Sequence, residues 1–323
     1  MKNRPSIKSS NVLVTGGAGF IGSHLADRIL DLGANELIIV DSLFNGSEDN
    51  IEEAISKGAI FYKDDIENMS SLDFIFDRHQ IDIVFNCATK ALNYSFLNPK
   101  NAFETNTKVI INLLEHQRKK SFKTLVHFSS SEVYGTAVYE PMDEEHPIKP
   151  TTTYAAGKAA ADNALQSWVN MFELDSFIVR PFNNYGPRQN YKGFLAGIIP
   201  ITAWRICNNL PPEIHGSGDQ TRDFIFVNDT IDAVIKLFPL LKPSESINIS
   251  ADGQISMNQV IKKIKKFFSY DGKTLIKPSR GADVVTHNAC NKKIKSYIEY
   301  DLTSFDSGLE KTLQWYKNKI HNK

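Results

Sequence analysis

The chain of 323 residues contains 37 basic and 37 acidic side chains, so its formal net charge at pH 7 is zero. A neutral chain has no global field to recruit nucleic acid or an anionic membrane, and we expect neither as a partner. The first residues lack the apolar core of a signal peptide, and no apolar run approaches the length that spans a bilayer. Three widely spaced cysteines indicate reduced thiols rather than a disulfide framework. We therefore expect a cytoplasmic protein.

The first half of the chain alternates strand and helix patterns. Apolar runs predict strands near 11–15, 36–40, 59–62, 82–86, 123–128 and 176–180. Helical periodicity predicts helices near 20–33, 70–79, 97–120 and 152–173. Such alternation is typical of an α/β Rossmann fold, in which a doubly wound parallel sheet carries helices on both faces.

The alternation of strands and helices ends after Arg180. Pro, Gly and Asn cluster at 181–193, 211–218 and 277–283, between predicted helices near 194–209, 228–241, 256–268 and 303–320 and a short strand at 247–249. We expect a smaller C-terminal α+β lobe that binds the substrate, with the segment 224–250 returning to the sheet. This assigns 8–180 plus about 224–250 to the dinucleotide-binding domain, and 181–223 plus 251–323 to the substrate lobe.

A glycine-rich turn follows the first predicted strand. Gly16, Gly19 and Gly22 stand between the strand at 11–15 and a helix that begins near Phe20. In a dinucleotide-binding unit, such glycines let the backbone turn tightly and approach a pyrophosphate, which the N-terminus of the helix faces. The turn therefore predicts a dinucleotide cofactor.

An acidic residue further along specifies this cofactor. Asp41 ends the second apolar run, about 20 residues beyond the glycines, where a carboxylate can bind both hydroxyls of an adenosine ribose. No Lys or Arg occurs between Asp41 and Glu53 to accept a 2′-phosphate. The pattern favours NAD over NADP.

Two residues of the predicted helix at 152–173 form a candidate acid–base pair. Tyr154 and Lys158 are four residues apart and hence lie on one face of the helix. A neighbouring ammonium stabilises phenolate, so we expect Lys158 to lower the pKa of Tyr154 from about 10 toward the working pH. Tyr154 would then be the base that removes a sugar hydroxyl proton while hydride leaves the same carbon. Lys158 would also bind the hydroxyls of the nicotinamide ribose.

A run of polar side chains follows the predicted strand at 123–128. Ser129, Ser130, Ser131 and Glu132 come directly after it, at the carboxyl edge where open α/β sheets bind ligands. In isolation, a serine-rich turn would explain this stretch. Together with the glycine turn, the aspartate and the Tyr–Lys pair, in this order and spacing, it indicates a binding site.

These motifs together resemble the extended short-chain dehydrogenase/reductases of the nucleotide-sugar epimerase/dehydratase family, from about residue 10 to about residue 315. The resemblance implies that NAD is held tightly, that the substrate is a nucleotide-diphosphate sugar, UDP-linked in our prediction, and that Ser130, Glu132, Tyr154 and Lys158 are catalytic. The implied cofactor-binding residues are Gly16, Gly19, Phe20, Ile21, Gly22, Asp41, Asn45, Asp65, Ile66, Cys87, Ala88, Thr89, Asn106, Ser129, Tyr154 and Lys158. The implied substrate-binding residues are Lys90, Ser130, Ser131, Asn183, Arg188, Arg222, Arg280 and Asp283.

Other properties follow from the same resemblance. We predict a homodimer in which the helices at 97–120 and 152–173 form a four-helix interface, since six alanines in the second helix permit close approach. Arg222 and Arg280 stand on glycine-rich loops, and two such arginines are what a diphosphate requires, because guanidinium groups bind phosphate bidentately. None of the eight histidines is spaced as a set of metal ligands, so we predict no metal.

The resemblance leaves the outcome of the reaction open. We place C4 epimerisation of a UDP-hexose or UDP-N-acetylhexosamine first by a small margin, on its frequency in the family. The alternative is 4,6-dehydration of a UDP-N-acetylglucosamine type of substrate, in which Glu132 removes the C5 proton; relatives that dehydrate often carry an Asp–Glu pair, and here Ser131 stands in place of the Asp. Decarboxylation of UDP-glucuronate comes next, with Arg188 as the candidate for the carboxylate. A non-catalytic NAD sensor comes last.

Overall fold

A computed structural model describes residues 4–279, 281 and 286–321. The strands are β1 (Asn11–Thr15), β2 (Glu36–Asp41), β3 (Ile60–Lys63), β4 (Ile83–Asn86), β5 (Thr124–Phe128), β6 (Asp175–Pro181), β7 (Asn183–Tyr185), β8 (Glu213–His215), β9 (Thr221–Arg222), β10 (Phe224–Phe226), β11 (Ser246–Ile249), β12 (Ile255–Ser256) and β13 (Leu275–Lys277). The helices are α1 (Phe20–Asp31), α2 (Glu52–Ser56), α3 (Met69–Arg78), α4 (Pro99–Arg118), α5 (Thr153–Phe172), α6 (Ile198–Cys207), α7 (Val227–Leu237), α8 (Met257–Phe267), α9 (Lys292–Tyr297) and α10 (Phe305–His321).

Seven strands form one parallel sheet in the order β11-β6-β5-β4-β1-β2-β3. The chain leaves β1 for β2 and β3 on one side, then crosses to β4 on the other side of β1. In open α/β sheets, ligands bind outside the carboxyl ends of the strands at this change of direction. The predicted doubly wound fold is confirmed, and the fold places a binding crevice at the ends of β1 and β4.

Apolar side chains of the central strands alternate between two cores. In β1, Val12 and Val14 pack into a core with α1 and α7, whereas Leu13 packs into a second core with α3, α4 and α5. In β2, Ile38 and Ile39 divide in the same way. Because successive side chains of a strand point to opposite faces, a continuous apolar run buries both faces of the sheet.

A third core lies in the C-terminal part of the chain. It joins side chains of α6, α8 and α10, among them Ala203, Ile261 and Leu313. Ile294 of α9, by contrast, packs into the core beside α1 and α7. The domain boundaries stay a prediction, and α9 packs with the N-terminal unit although that prediction assigns it to the substrate lobe.

The segment 224–250 returns to the main sheet only in part. β11 pairs with β6 and so extends the sheet, as expected. β10 pairs with β7 in a separate two-stranded sheet. Strands of two or three residues, such as β8, β9, β12 and β13, were not predicted, because so short a run carries no measurable periodicity.

Other expectations concern the cysteines and the membrane. Cys87, Cys207 and Cys290 are all free thiols. In the part of the chain that the structure describes, no helix is both long and apolar enough to cross a bilayer. The cytoplasmic location stays a prediction.

Candidate active site

The glycine-rich turn between β1 and α1 is closely packed. Gly16 has a φ of +67°, in the left-handed region, and a Cβ there would lie 2.6 Å from the Ala88 nitrogen. A Cβ on Gly22 would lie 2.3 Å from the Gly16 carbonyl oxygen. Side chains at these positions would therefore separate α1 from the turn and the turn from the end of β4. This close packing keeps the turn tight and leaves the N-terminus of α1 at the cavity, where its backbone N–H groups can face a pyrophosphate.

Asp41 lies at the end of β2 with its carboxylate held by the backbone. Its Oδ2 accepts a hydrogen bond from the Ala18 N–H at 3.0 Å, and its Oδ1 accepts one from the Leu43 N–H at 2.8 Å. Burial raises the pKa of the Asp41 carboxyl, and these backbone donors oppose the rise. The carboxylate is fixed in orientation at the crevice, which fits the ribose hydroxyls of NAD.

A cavity of about 390 Å³ opens at the carboxyl edge of the main sheet. The predicted residues that line it are Gly16, Gly19, Phe20, Ile21, Gly22, Asp41, Asn45, Asp65, Ile66, Cys87, Ala88, Thr89, Lys90, Ser129, Ser130, Glu132, Tyr154, Lys158 and Asn183. They come from the ends of β1, β2, β4, β5 and β6 and from the first turns of α5. The parallel sheet thus brings together motifs that are far apart in the chain.

Tyr154 is placed by the start of α5. The Oγ1 of Thr152 caps this helix by accepting a hydrogen bond from the Ala155 N–H at 3.2 Å. The Tyr154 N–H, which has no partner within the helix, donates to the Ser95 Oγ at 2.9 Å. A Cβ on Gly157 would lie only 2.8 Å from a backbone oxygen of α4, so α4 packs directly against this turn. The side chain of Tyr154 therefore projects from a rigid helix end into the cavity.

The Tyr154 hydroxyl is hydrogen-bonded to the side chains of Ser130 and Thr89. Thr89 is oriented in turn by Asn106, whose Oδ1 accepts hydrogen bonds from the Thr89 Oγ1 and the Lys90 N–H, both at 2.9 Å. Asn106 does not line the cavity itself. Its place in the structure supports an orienting role rather than the direct cofactor contact that the resemblance implies.

The pKa of Tyr154 is raised to about 12, opposite to the predicted lowering. Burial is the largest cause; the hydrogen bond from Ser130 opposes it, and the negative charge of Glu132 adds to it. Burial also lowers the pKa of Lys158 to about 8, and its Nζ donates to the Phe128 carbonyl oxygen at 2.8 Å. The prediction was wrong for this structure, because sequence spacing does not reveal the cost of burying a phenolate.

Glu132 enters the same cavity one short turn after β5. Its backbone N–H donates to the Ser130 Oγ at 3.2 Å, which fixes the geometry of this turn. The Glu132 carboxylate is close enough to the Tyr154 hydroxyl to raise the pKa of that tyrosine. Two acid–base groups of different type therefore lie together after the end of β5 and at the start of α5.

Three predicted substrate residues do not line this cavity. Ser131 is buried, with 2% of its surface exposed, and lies outside the cavity wall. Arg222 is half-buried, and one of its guanidinium nitrogens donates to the Thr221 carbonyl oxygen at 2.9 Å. Arg188 is the third. Arg280 and Asp283 lie outside the described residues.

Arg188 corrects a second prediction. Its guanidinium binds the Asp27 carboxylate of α1 at 2.6 Å, and Glu53 lies 3.8 Å away. Its backbone has a φ of +66°, and the residue does not line the cavity. Arg188 therefore joins the segment after β7 to α1, and neither the diphosphate nor a substrate carboxylate is its partner here.

The cavity wall also contains residues that the sequence did not single out as site residues. They are Val40, Ser42, Phe44, Gly46, Asp64, Ala91, Leu92, Thr105, Val109, Phe128, Pro181, Phe182, Asn184 and Gln189. Gly46 had a detectable signal, since it is the one glycine in the loop after Asp41, and a Cβ there would lie 2.9 Å from Ala18. Phe44 had no such signal in the sequence. The Lys90 Nζ lies 4.1 Å from the centre of its ring, and this contact depends on tertiary packing.

The fold and the site together define a nucleotide-binding α/β enzyme of the doubly wound type, with a Tyr–Lys pair and a carboxylate beside the glycine turn. Residues 12–250 match the NAD dependent epimerase/dehydratase family. The chain belongs to this family, so the recognition, the enzymatic character and the NAD cofactor are confirmed.

Individual relatives cover nearly the whole chain. A putative UDP-glucose 4-epimerase of Methanocaldococcus jannaschii is 32% identical over 95% of this chain and 98% of its own. A human dTDP-D-glucose 4,6-dehydratase is 29% identical over 97% of this chain and 92% of its own. The crystal structure of a UDP-glucose 4-epimerase from Thermotoga maritima with UDP-glucose superposes with a TM-score of 0.90, at 29% identity, over 96% and 99% of the two chains. The similarity extends to enzymes of both reaction types.

Proposed function

We propose that this chain catalyses the 4,6-dehydration of a nucleotide-diphosphate sugar, a UDP-hexose or UDP-N-acetylhexosamine, through a transient 4-keto sugar. The observation that carries the proposal is the Glu132 carboxylate in the same cavity as the Tyr154 hydroxyl and close to it. Epimerisation at C4 removes and returns hydride at one carbon and requires one acid–base group. Dehydration also needs a base for the C5 proton, and a carboxylate serves that purpose. The position of Glu132 therefore reverses the order of preference that the sequence alone suggested.

In the first step, Tyr154 accepts the proton of the sugar O4. The hydrogen bond from Ser130 favours the phenolate form. A Lys158 ammonium, one turn further along the same helix face, would act in the same direction. Bound NAD⁺ would supply the hydride acceptor and a positive charge that also favours phenolate. The residues in the glycine turn and at Asp41 are the ones we assign to holding it.

In the second step, Glu132 acts on the keto sugar. The C4 ketone makes the C5 proton acidic, and the Glu132 carboxylate removes it. The hydroxyl group leaves C6 and receives this same proton from Glu132, so one water is lost and a double bond forms between C5 and C6. Hydride is delivered to C6, and the proton that Tyr154 took from O4, exchangeable with solvent, is delivered to C5, which restores the phenolate and completes a 4-keto-6-deoxy sugar. Because the Ser131 side chain is outside the cavity wall, we assign both proton transfers to Glu132.

The polar wall near β7 supports a diphosphate-linked substrate. The side-chain nitrogen of Asn183 is buried without a hydrogen-bond partner among the described residues, although Asn183 lines the cavity. A donor left unpaired at a cavity wall costs free energy unless a ligand satisfies it. Lys90 also lines the cavity, with its Nζ 3.7 Å from the Glu67 carboxylate. A relative solved with UDP-glucose gives the nucleotide-sugar class further support.

Epimerisation at C4 is the second candidate, because the relatives named above include 4-epimerases. It uses the same Tyr154, Lys158 and Ser130, and leaves Glu132 without a chemical role. Decarboxylation has lost its candidate residue, because Arg188 binds Asp27 and does not line the cavity.

The test is turnover of UDP-glucose and UDP-N-acetylglucosamine in deuterium oxide, with products analysed by NMR and mass spectrometry. Dehydration gives a product that has lost one water and has gained deuterium at C5. Epimerisation gives a product of unchanged elemental composition without deuterium at C5. With the Glu132→Gln variant we expect deuterium incorporation at C5 to fall by at least about 100-fold, the usual lower range for a lost acid–base group.

The matched control is Glu145→Gln, since Glu145 is exposed and its side chain is outside the cavity wall. We expect this variant to behave like the wild type. An epimer as the only product, formed equally well by the Glu132→Gln variant, would overturn the dehydration proposal in favour of epimerisation.

A further inference from the structure

Three charged side chains lie completely buried beneath the candidate active site. Lys158 and Asp162 are one helical turn apart in α5, and Arg180 belongs to β6; each has at most 2% of its surface exposed. The Arg180 Nε donates to the Asp162 Oδ2 at 3.0 Å. Of these residues only Lys158 reaches the cavity.

Arg180 is itself held from the opposite side. Its guanidinium donates to the Tyr134 hydroxyl at 2.9 Å, and this hydroxyl donates to the Asn248 Oδ1 at 2.7 Å. Tyr134 and Asn248 are both fully buried, and Asn248 belongs to β11. The Asp162 carboxylate is therefore fixed by a chain of hydrogen bonds that joins α5, β6 and the edge strand of the sheet.

The arrangement is not explained by the stability of an ion pair alone. A buried carboxylate–guanidinium pair seldom stabilises a protein more than apolar residues of similar volume would. The second Asp162 oxygen, Oδ1, lies 3.8 Å from the His127 Nε2, and the Ser129 hydroxyl lies close enough to the Asp162 carboxyl to lower its pKa. Burial, together with the charges of Lys158 and Arg180, lowers the pKa of His127 well below its usual value, so this histidine is neutral. Asp162 is left as the anion between two buried cations.

We propose that Asp162 is a positioning residue that keeps Lys158 in its ammonium form in the buried site, and that Arg180 holds Asp162 in place for this purpose. This inference rests on the proposed acid–base role of the Tyr154–Lys158 pair. The ammonium is needed because a charged Lys158 favours the phenolate of Tyr154 and a neutral one does not, whereas the Asp162 charge itself raises the pKa of Tyr154.

The other groups around Lys158 cannot replace this carboxylate. Burial lowers the pKa of Lys158, and Asp162 is the larger of the two influences that raise it; Cys87 is the other. Burial raises the pKa of the Cys87 thiol, so at neutral pH this group is uncharged. The titratable and charged groups that face Lys158 from the elements packed against it are Tyr154 and Asp162 of α5, Cys87 after β4, His127 of β5 and Arg180 of β6. Burial raises the pKa of the Asp162 carboxyl, and the charge of Arg180, hydrogen bonds from Ser129 and Arg180 and the charge of Lys158 oppose the rise. Among these groups, Asp162 is the carboxylate that can balance the Lys158 ammonium.

The experiment follows the titration of Lys158 directly. Protein labelled with ¹³C at the lysine Cε is titrated by NMR, and the Lys158 signal is assigned by its loss in the Lys158→Arg variant. In the wild type we expect an apparent pKa near 8. In Asp162→Asn we expect it to be lower by at least about one pH unit, since a unit charge one turn away acts through a poorly screened interior.

Two further variants separate charge from structure. Tyr134→Phe breaks the hydrogen bond to Arg180 without removing a charge, and Asp162→Glu retains the carboxylate; both should keep the Lys158 pKa within about half a unit of the wild type. An unchanged Lys158 titration in Asp162→Asn overturns the inference. So does a wild-type Lys158 that is already neutral at pH 7, an outcome that needs no variant to fold.

A kinetic measurement completes the test and separates it from the proposed function. If a nucleotide sugar is turned over, the alkaline limb of the kcat profile should move to lower pH in Asp162→Asn by the same amount as the Lys158 titration, and Asp162→Glu should restore it. A uniform loss of kcat at every pH would show a merely structural role and overturn the inference. If no nucleotide sugar is converted, the proposed function fails while the titration still decides the role of Asp162.

Discussion

Single residues in this site owe their charge state to burial more than to spacing. Tyr154 and Lys158 are neighbours on α5, yet burial raises the pKa of the first to about 12 and lowers that of the second to about 8. Both shifts disfavour the charged form, as desolvation does for any acid or base. The positive charge of Lys158, which favours proton transfer to Tyr154, therefore has to be maintained by another group. We assign this role to Asp162.

The clearest prediction for a single residue concerns Tyr154. Replacing it with Phe removes the hydroxyl that Ser130 and Thr89 orient, and we expect kcat with any accepted nucleotide sugar to fall by about 1,000-fold or more. Steady-state turnover measures the effect, with Tyr139→Phe as the control, because Tyr139 is exposed and outside the cavity wall. A Tyr154→Phe enzyme that retains a tenth of the wild-type rate would rule out this tyrosine as the base.

The sequence predicted residue identities in the site better than their environments. Ser130, Glu132 and Tyr154 were found because each follows or begins an element whose pattern is strong, and parallel strands end at one edge. Arg188 was misassigned because a motif does not show that its guanidinium has a carboxylate partner on α1. Phe44 was missed because a loop aromatic becomes a wall residue only through tertiary contact.

At the scale of elements, the turn between β1 and α1 tolerates little change. We expect Gly22→Ala to weaken NAD binding at least about tenfold and to lower the free energy of unfolding by about 2 kcal/mol, because its Cβ would lie 2.3 Å from the Gly16 carbonyl oxygen. Gly253→Ala is the control, since no atom lies within 4 Å of the added Cβ. Equal effects in the two variants, measured by NAD titration and urea unfolding, would contradict this account of the turn.

The link between α1 and the segment after β7 gives a second prediction at this scale. Asp27→Ala leaves the largely buried Arg188 guanidinium without its 2.6 Å partner, and we expect a loss of about 2 kcal/mol in the free energy of unfolding. Removing Glu104, whose pair with Lys100 is exposed and 3.8 Å long, should change stability by less than about 0.5 kcal/mol. Urea unfolding that gives the two variants the same stability would show that the Arg188 link contributes nothing.

The length of a helix or strand decided whether its position could be predicted from the sequence. Long helices such as α4 and α5 have several periods of apolar residues, and their predicted bounds differ from the observed ones by one or two residues. The segment 224–226 was expected in the main sheet, but three apolar residues fit any strand partner equally well. Its pairing with β7 follows from where the chain lies after β6, which no local pattern records.

For the whole molecule, protonation of buried histidines predicts acid sensitivity. Burial lowers the pKa of His24 to about 4, and its Nε2 lies 3.1 Å from the Pro187 carbonyl oxygen. Between pH 6.5 and pH 4 the unfolded chain binds a proton at His24 that the folded chain does not, so stability falls as the pH falls through this window. The total loss is on the order of 3 kcal/mol.

The His24→Gln variant isolates this contribution, because Gln can still donate to Pro187 but does not titrate. The difference in the free energy of unfolding between wild type and variant should move in favour of the variant by about 3 kcal/mol from pH 7 to pH 4. Other titrating groups are common to both proteins and cancel. A difference that is independent of pH would contradict the assignment of a depressed pKa to His24.

Association is the other property of the whole molecule. α4 and α5 pack together, and Phe103 of α4 and Met171 and Phe172 of α5 remain exposed. We expect these helices to pair with those of a second copy, and light scattering at micromolar concentration should give the mass of a dimer. A monomer mass under these conditions would refute the homodimer.

The central claim is that Tyr154 and Glu132 together convert a nucleotide sugar through a 4-keto intermediate with loss of water. The most direct measurement is the mass and NMR spectrum of the product formed by the purified enzyme from UDP-N-acetylglucosamine or UDP-glucose. The account predicts a 4-keto-6-deoxy nucleotide sugar, lighter than its substrate by one water and labelled at C5 in deuterium oxide. A product of unchanged mass, inverted at C4 and unlabelled at C5, would contradict it.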